Sequence, residues 1–229
     1  MSSNKKILYL VFILFTVVSS ITGATYAYWT ATTQSTENAV NTSSTIYKIS
    51  MHITPLYIGH TLIPMNDEQA IKGLRNKCVD KYDRGACLAY KIRVYDYNED
   101  LSFISGYMDI NTNGMQNISY MMYRISNEYN EDTCVKINEE NYCIVKEPEH
   151  MKDGQNLSLG DKYDVTGISE TEFILLVWLS NLKMNQNDTD IGNFNAVITM
   201  QAGNGGEIKG SISSVIVPDN TDKGDADIE

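Results

Sequence analysis

The sequence predicts an all-β protein: an antiparallel β-sandwich or jelly roll with one short helix, preceded by an N-terminal signal helix. Three observations lead there. Val, Ile, Thr and Tyr recur in short bursts, with 15 Tyr against 5 Phe and only 4 Pro, a composition that suits pleated, half-buried surfaces. Period-two alternation returns at short intervals, giving about eight strands by count. No helical pattern regularly separates those strands, which excludes α/β architectures built on parallel crossovers.

The N-terminus carries an export signal. Lys5 and Lys6 precede an uncharged run from Ile7 to Ala27 whose apolar heart is Ile7 to Val18. Small residues follow, and Ala24-Thr25-Tyr26-Ala27 presents an A-x-A-like exit, the pattern of a cleaved secretory signal. Residues 1–27 therefore read as signal peptide, with the cut between Ala27 and Tyr28 made by a signal peptidase during export. The competing reading is a retained anchor, since about 20 apolar or neutral residues just span a bilayer. The uncleaved segment would then be the only contact with the membrane. The small and polar C-terminal part of the run favours cleavage.

Cleavage removes two lysines and no acid, taking the formal charge from −11 to −13. That excess excludes nucleic acid and anionic lipid surfaces as partners, because both require clustered cations. Residues 28–45 form a Thr-, Ser-, Asn- and Gln-rich stretch with little to bury, read as an exposed polar arm. The sandwich domain is assigned to residues 46–217. Residues 218–229, beginning Pro218-Asp219-Asn220, form an acidic tail expected to be disordered.

Within the domain, Ile46 to Ile53 alternates Tyr47, Ile49, Met51 and Ile53 against Lys48, Ser50 and His52, a half-buried strand ended by Pro55 and Gly59. Pro64-Met65-Asn66-Asp67 reads as a helix start, with Ala70, Ile71 and Leu74 on one face. Leu88–Tyr97 is a second alternating strand. Leu101–Asn111 and Asn117–Ser126 flank Asn113-Gly114, a strong turn signal. Residues 132–146 read as a hairpin around Asn138-Glu139-Glu140-Asn141. Residues 146–169 are mostly polar, with Leu157 and Leu159 as isolated anchors. Phe173–Leu179, FILLVWL, is the most apolar stretch after the signal and reads as a central strand buried on both faces. Phe194–Ala202 and Ile208–Val217 close the domain.

Four cysteines, Cys78, Cys87, Cys134 and Cys143, fall in two local pairs with eight intervening residues each. An even count at matched spacing in an exported chain predicts disulfides. Three connectivities are possible, and the local one, Cys78–Cys87 with Cys134–Cys143, is favoured. Neither pair is C-x-x-C, so no thioredoxin-like chemistry is indicated.

Catalytic patterns are missing from the sequence. The histidines are His52, His60 and His150, and none forms H-E-x-x-H; no G-x-S-x-G occurs either. No catalytic residue, cofactor or metal site is assigned. The one ligand with a donor set is calcium, through Asn187, Asp188 and Asp190 beside Asn185 and Thr189, oxygen donors in a loop ending near Gly192. An ordinary solvated turn is the favoured reading of them. Tyr90, Tyr95, Tyr97, Tyr107, Tyr120, Tyr123 and Tyr129 could line a carbohydrate-binding face, although packing explains most tyrosines on strands.

Two stretches resemble the TasA/camelysin family. Gly23-Ala24-Thr25-Tyr26-Ala27-Tyr28-Trp29 is similar to that family's processing region, where a Gly- and Ala-containing segment leads to an aromatic after the cut. Leu176-Val177-Trp178-Leu179-Ser180-Asn181-Leu182-Lys183, the Asn185–Phe194 loop and the closing Gly-rich strand resemble its C-terminal block. The resemblance implies an exported jelly-roll protein of Gram-positive bacteria, processed by a dedicated SipW-type signal peptidase. It further implies a structural role in extracellular fibres or biofilm matrix. Its partners would be copies of itself or other matrix proteins, with the Tyr28–Thr45 arm completing the sheet of the next subunit by strand addition. The cysteine pairs lie outside that family's pattern. The alternatives are a camelysin-like secreted metalloprotease, for which the missing H-E-x-x-H offers no support, and a surface adhesin or binding module.

Overall fold

The apolar run FILLVWL sits where seven strands need a centre. The computed structural model describes residues 40–44, 49–58, 61–97, 101–111, 118–150, 154–181 and 192–218, all within the unit Ala39–Glu229. The signal segment and its Ala27–Tyr28 junction, the Asn113-Gly114 turn and the tail after Pro218 lie outside the described residues.

In chain order the elements are β1 (Val40–Ser44), β2 (Ile49–Tyr57), β3 (Thr61–Leu62), α1 (Asp67–Arg75), β4 (Leu88–Asp96), β5 (Phe103–Asn111) and β6 (Ile118–Ser126). They continue with β7 (Cys134–Ile137), β8 (Glu140–His150), β9 (Gly154–Asp164), β10 (Glu170–Leu179), β11 (Gly192–Ala202) and β12 (Glu207–Pro218). A seven-stranded sheet runs β1-β2-β4-β10-β6-β8-β7 and a five-stranded sheet β3-β12-β11-β5-β9. Every strand pairing is antiparallel except the two-residue contact of β3 with β12. The protein is an all-β, mostly antiparallel sandwich with one short helix.

Side-chain alternation divides the apolar residues between two layers. Phe173, Leu175, Val177 and Leu179 of β10 point between the sheets, where they meet Ile92 of β4, Tyr120 of β6 and Phe194 and Ile198 of β11. Ile174, Leu176 and Trp178 point the other way, into a second cluster with Ala70 and Leu74 of α1, Ile63, Met65 and both Cys78 and Cys87. Helix and loop thus cover part of the outer face of the seven-stranded sheet, so β10 is buried on both sides. That is why its sequence is continuous rather than alternating. At Gly210 of β12 a Cβ would lie 2.7 Å from Ile53 Cδ1 and 3.0 Å from Met51 Cε, so a larger residue would have to push these β2 side-chain tips aside.

Helix α1 forms where its start signals lie. Asn66 accepts the Gln69 N–H at 2.9 Å and the Gln69 side chain accepts the Asn66 N–H at 2.8 Å, a capping box. Asp67 and Glu68 occupy the first turn, Lys72 and Arg75 the last, complementing the helix dipole. Arg75 then donates to the carbonyls of Glu131 and Cys134, at 2.5 and 3.1 Å, fastening α1 to the hairpin that carries the second cysteine pair.

Two stretches differ from the sequence reading. Residues 40–44 of the polar arm are a strand, β1, in register with β2 from Val40 against Ile53 to Ser44 against Ile49. Residues 146–169 hold the end of β8 and all of β9. Both are edge-region strands, where main-chain pairing suffices and an apolar face is unnecessary, so neither shows a hydrophobic period. The described residues accordingly contain twelve strands rather than about eight.

Candidate binding face on the seven-stranded sheet

The four cysteines form two disulfides, Cys78–Cys87 and Cys134–Cys143, each across a sequence separation of 9 with Cα atoms 4.8 and 4.0 Å apart. The first closes a loop built on Asp80, whose carboxylate accepts the Tyr82 and Arg84 N–H groups, both at 2.9 Å, and the Arg84 Nε at 2.8 Å. Burial would push this carboxyl up; the Arg84 side chain and the Arg84 and Tyr82 backbone donors outweigh it and hold it below the ordinary aspartate range. The second disulfide joins directly opposed residues of β7 and β8. The tight turn between them places Asn138 and Glu139 at φ 50° and 71°, both central residues left-handed as a two-residue hairpin loop requires. Replacing Cys134 and Cys143 together by serine is expected to lower stability by about 2–3 kcal/mol, the loop-closure scale for so short a ring. Urea unfolding of oxidised wild type against the double variant measures it.

A buried charge cluster lies beside the helix-covered half of the outer face. Glu172 of β10 is 5% exposed and Lys91 of β4 is 8% exposed. Glu172 Oε2 accepts from Lys91 Nζ at 2.8 Å and from the Tyr142 hydroxyl at 2.5 Å, while Oε1 accepts from Arg93 Nε. Glu140 supplies a second acceptor for Tyr142, at 2.8 Å. Lys91 also sits 5.3 Å from the centre of the Tyr142 ring, a cation–π distance. Burial raises the Glu172 carboxyl, yet the hydrogen bonds from Lys91 and Tyr142 and the charges of Lys91 and Arg93 more than compensate and bring it below its usual value. Burial and the two glutamates push the Tyr142 hydroxyl far above the normal phenol range.

Beyond this cluster the described residues of the outer face are aromatic, with Tyr97 exposed and His52 and Tyr95 half-buried. The register aligns Ser50 with Tyr95 and His52 with Arg93 across β2 and β4, and Tyr95 with Glu170 and Arg93 with Glu172 across β4 and β10. His52 meets the Tyr95 ring edge-on at 5.3 Å between centroids. The Tyr95 and Tyr97 rings lie within 16° of parallel at 6.5 Å. Tyr97 is held at its hydroxyl, which shares a 3.0 Å hydrogen bond with Ser50 Oγ, and Tyr95 is flanked by the rings of His52 and Tyr97. Partial burial, then Glu170, raises the Tyr95 phenol above its ordinary value. Tyr97 is 66% exposed.

Of the seven tyrosines considered from sequence, Tyr90, Tyr120 and Tyr123 are buried, Tyr129 stands exposed elsewhere and Tyr107 lies half-buried on β5 of the other sheet. Only Tyr95 and Tyr97 are brought together. His52, which joins them, was not in that group; its place on the polar face of an alternating strand was the available signal, but the β2–β4 register was needed to connect it. His52 and His150 lie on β2 and β8, with β4, β10 and β6 between them, so they do not gather into a metal site. Among the described residues no group of three His, Cys, Asp or Glu side chains could hold a metal ion. His60 and the calcium candidates Asn187, Asp188 and Asp190 lie outside the described residues. His150 ends β8, where its Nδ1 lies 2.5 Å from Ser119 Oγ, which in turn is 2.7 Å from Ser180 Oγ. Ser119 is fully buried, and among the described residues no carboxylate hydrogen-bonds His150, so the arrangement is a polar plug at the sheet end rather than a charge-oriented nucleophile.

No family model matches the chain, and no curated protein matches it in sequence. Among solved structures it is similar to AvmM, described as catalysing macrocyclization in alchivemycin A biosynthesis, with TM-score 0.34 and 6% identity over 82% of this chain and 100% of that one. It is similar to BcpA, the major pilin subunit of Bacillus cereus, with TM-score 0.29 and 10% identity over 75% of this chain and 40% of that one. A third likeness is to the CooA pilin subunit of enterotoxigenic Escherichia coli, with TM-score 0.28 and 7% identity over 73% of this chain and 98% of that one. At these TM-scores and identities neither a fold assignment nor an activity follows from the likeness.

Proposed function

We propose that this chain is an exported surface protein whose β-sandwich acts as a non-enzymatic binding module. The observation that carries the proposal is the disposition of its cysteines. All four are oxidised in local pairs, and structural disulfides belong to oxidising compartments. The export-type N-terminus agrees with this placement. The preorganised aromatic shelf supplies a surface on which binding would occur. A second reading is supported by β1: it is the rim of the seven-stranded sheet, and a rim strand offers main-chain donors and acceptors to another copy of the chain. On that reading the protein assembles, in the TasA manner, into fibres or matrix, with the jelly-roll connectivity that family implies.

Protease shaving of intact cells, followed by N-terminal sequencing of the recovered protein, tests the surface proposal. The expected result is release by external protease and a chain beginning at Tyr28. Recovery only inside the cell, with reactive reduced thiols, overturns it. Electron microscopy of the concentrated oxidised protein separates the two readings, since fibres favour assembly and dispersed particles favour the module.

A further inference from the structure

The geometry points to a saccharide site on the His52–Tyr95–Tyr97 shelf, taking a neutral oligosaccharide laid across this part of the outer face. This inference rests on the surface-module reading and gives that module its ligand class. Exposed aromatic side chains ordinarily move among rotamers, and fixing them on binding costs free energy. Here the fixing is already present in the free protein. Tyr97 is tied at its hydroxyl to Ser50, and Ser50 is itself only 3% exposed. Tyr95 is flanked by the rings of His52 and Tyr97. Tyr97 as a residue stays 66% exposed, with its ring stacked beside that of Tyr95. Such a ring contributes apolar contact at small entropic cost.

Charge selects among ligands that could use the shelf. Among the described residues here, Lys91 and Arg93 are the cations, and they are met by Glu172 and, 3.8 Å from Arg93, by Glu170. These two cations and two carboxylates cancel, on a chain of formal charge −11. An anionic ligand would meet the surrounding negative field. A simple cation would find the nearest carboxylates already engaged by Arg93. A peptide strand needs a sheet edge, whereas this is a sheet face. A sugar ring matches what remains: its C–H face lies against an aromatic face, and its hydroxyls donate to and accept from a rim of both polarities. That rim is His52, Arg93, Glu170 and the two phenol hydroxyls.

The test uses the full chain with its disulfides intact, titrated with cellohexaose and with chitohexaose and followed by backbone amide NMR. Choline chloride serves as the small cationic comparator. At least one of the two oligosaccharides is expected to shift amides of β2 and β4 around Ser50, His52, Tyr95 and Tyr97. Tyr97→Ala is expected to weaken binding about tenfold, the scale of an aromatic anchor. Tyr97→Phe, which keeps the ring but loses its tie to Ser50, is expected to bind with an affinity between those of wild type and Tyr97→Ala. Tyr82→Ala, which removes another exposed tyrosine in the Cys78–Cys87 loop, leaves affinity unchanged. The proposal is overturned by the absence of shifts with both sugars, by equal affinity in Tyr97→Ala, or by choline occupying the shelf in their place. Because location is read separately by protease shaving, a surface protein that ignores both sugars refutes this inference and leaves the surface reading standing.

Discussion

Glu172→Ala is expected to destabilise the protein by about 3–5 kcal/mol, because it leaves the buried Lys91 with Glu140, 3.5 Å away, as its remaining carboxylate. The loss should not be read as the net worth of the ion pair. Bringing two charges out of water is costly, so replacing both partners together, Lys91→Met with Glu172→Leu, is expected to recover most of the stability. Arg93 contributes little to this sum, since its side chain is 43% exposed and solvent screens it. The cluster also sets an acid limit. The Glu172 carboxyl lies below its unfolded value, so its contribution is complete above the ordinary glutamate range, near pH 4.3, and is lost as pH falls through the lowered folded value. Asp80 acts in the same direction. Urea unfolding at descending pH should show a steep fall in wild type and a shallower one in Glu172→Gln, whose side chain no longer titrates. Parallel curves would show that the cluster does not govern acid stability.

Gly160→Ala is the second large effect, at about 4 kcal/mol or more. Gly160 stands at φ +134°, and an added Cβ would lie 1.5 Å from the Tyr163 Oη and 2.1 Å from its Cζ. Tyr163 cannot simply turn aside. Its hydroxyl donates to the Leu159 carbonyl at 2.5 Å, its ring packs 5.0 Å from that of Phe173, and the residue is 8% exposed. The alanine therefore meets both a forbidden backbone region and an occupied volume. A double-mutant cycle with Tyr163→Ala isolates the second part: the pair should cost clearly less than the sum of the singles. Additive losses would assign the whole effect to the backbone.

How far the sequence discloses this molecule depends on what each segment has to bury. Phe173–Leu179 was legible as a doubly buried strand because continuous apolarity has few other meanings at that length, and the strand occupies the centre of the larger sheet. The Asn66–Gln69 box made the helix start legible, and matched cysteine spacing made the two short loops legible. Val40–Ser44 was not, because VNTSS pairs through its main chain and carries no period. Gly154–Asp164 was hidden for a related reason: Gly160 and Lys162 take positive φ and break the register with β5, so alternation is interrupted where it would have been read. The shelf was half legible. Tyr95 and Tyr97 share a face by simple period-two counting, whereas His52 and Ser50 reach them only across a pairing of strands far apart in the chain.

The position of β10 between β4 and β6 imposes an order of events on a chain made from its N-terminus. β4 is complete at Asp96 and β6 at Ser126, yet the strand that joins them begins only at Glu170. Until then both carry an open edge and an apolar face, the condition in which nascent chains aggregate. The disulfides follow a different clock, because each needs only the nine-residue separation of its own loop. Local staples can therefore close while the sheet is still waiting, so the stretch from Glu170 onward is both the final arrival and the piece that commits the rest.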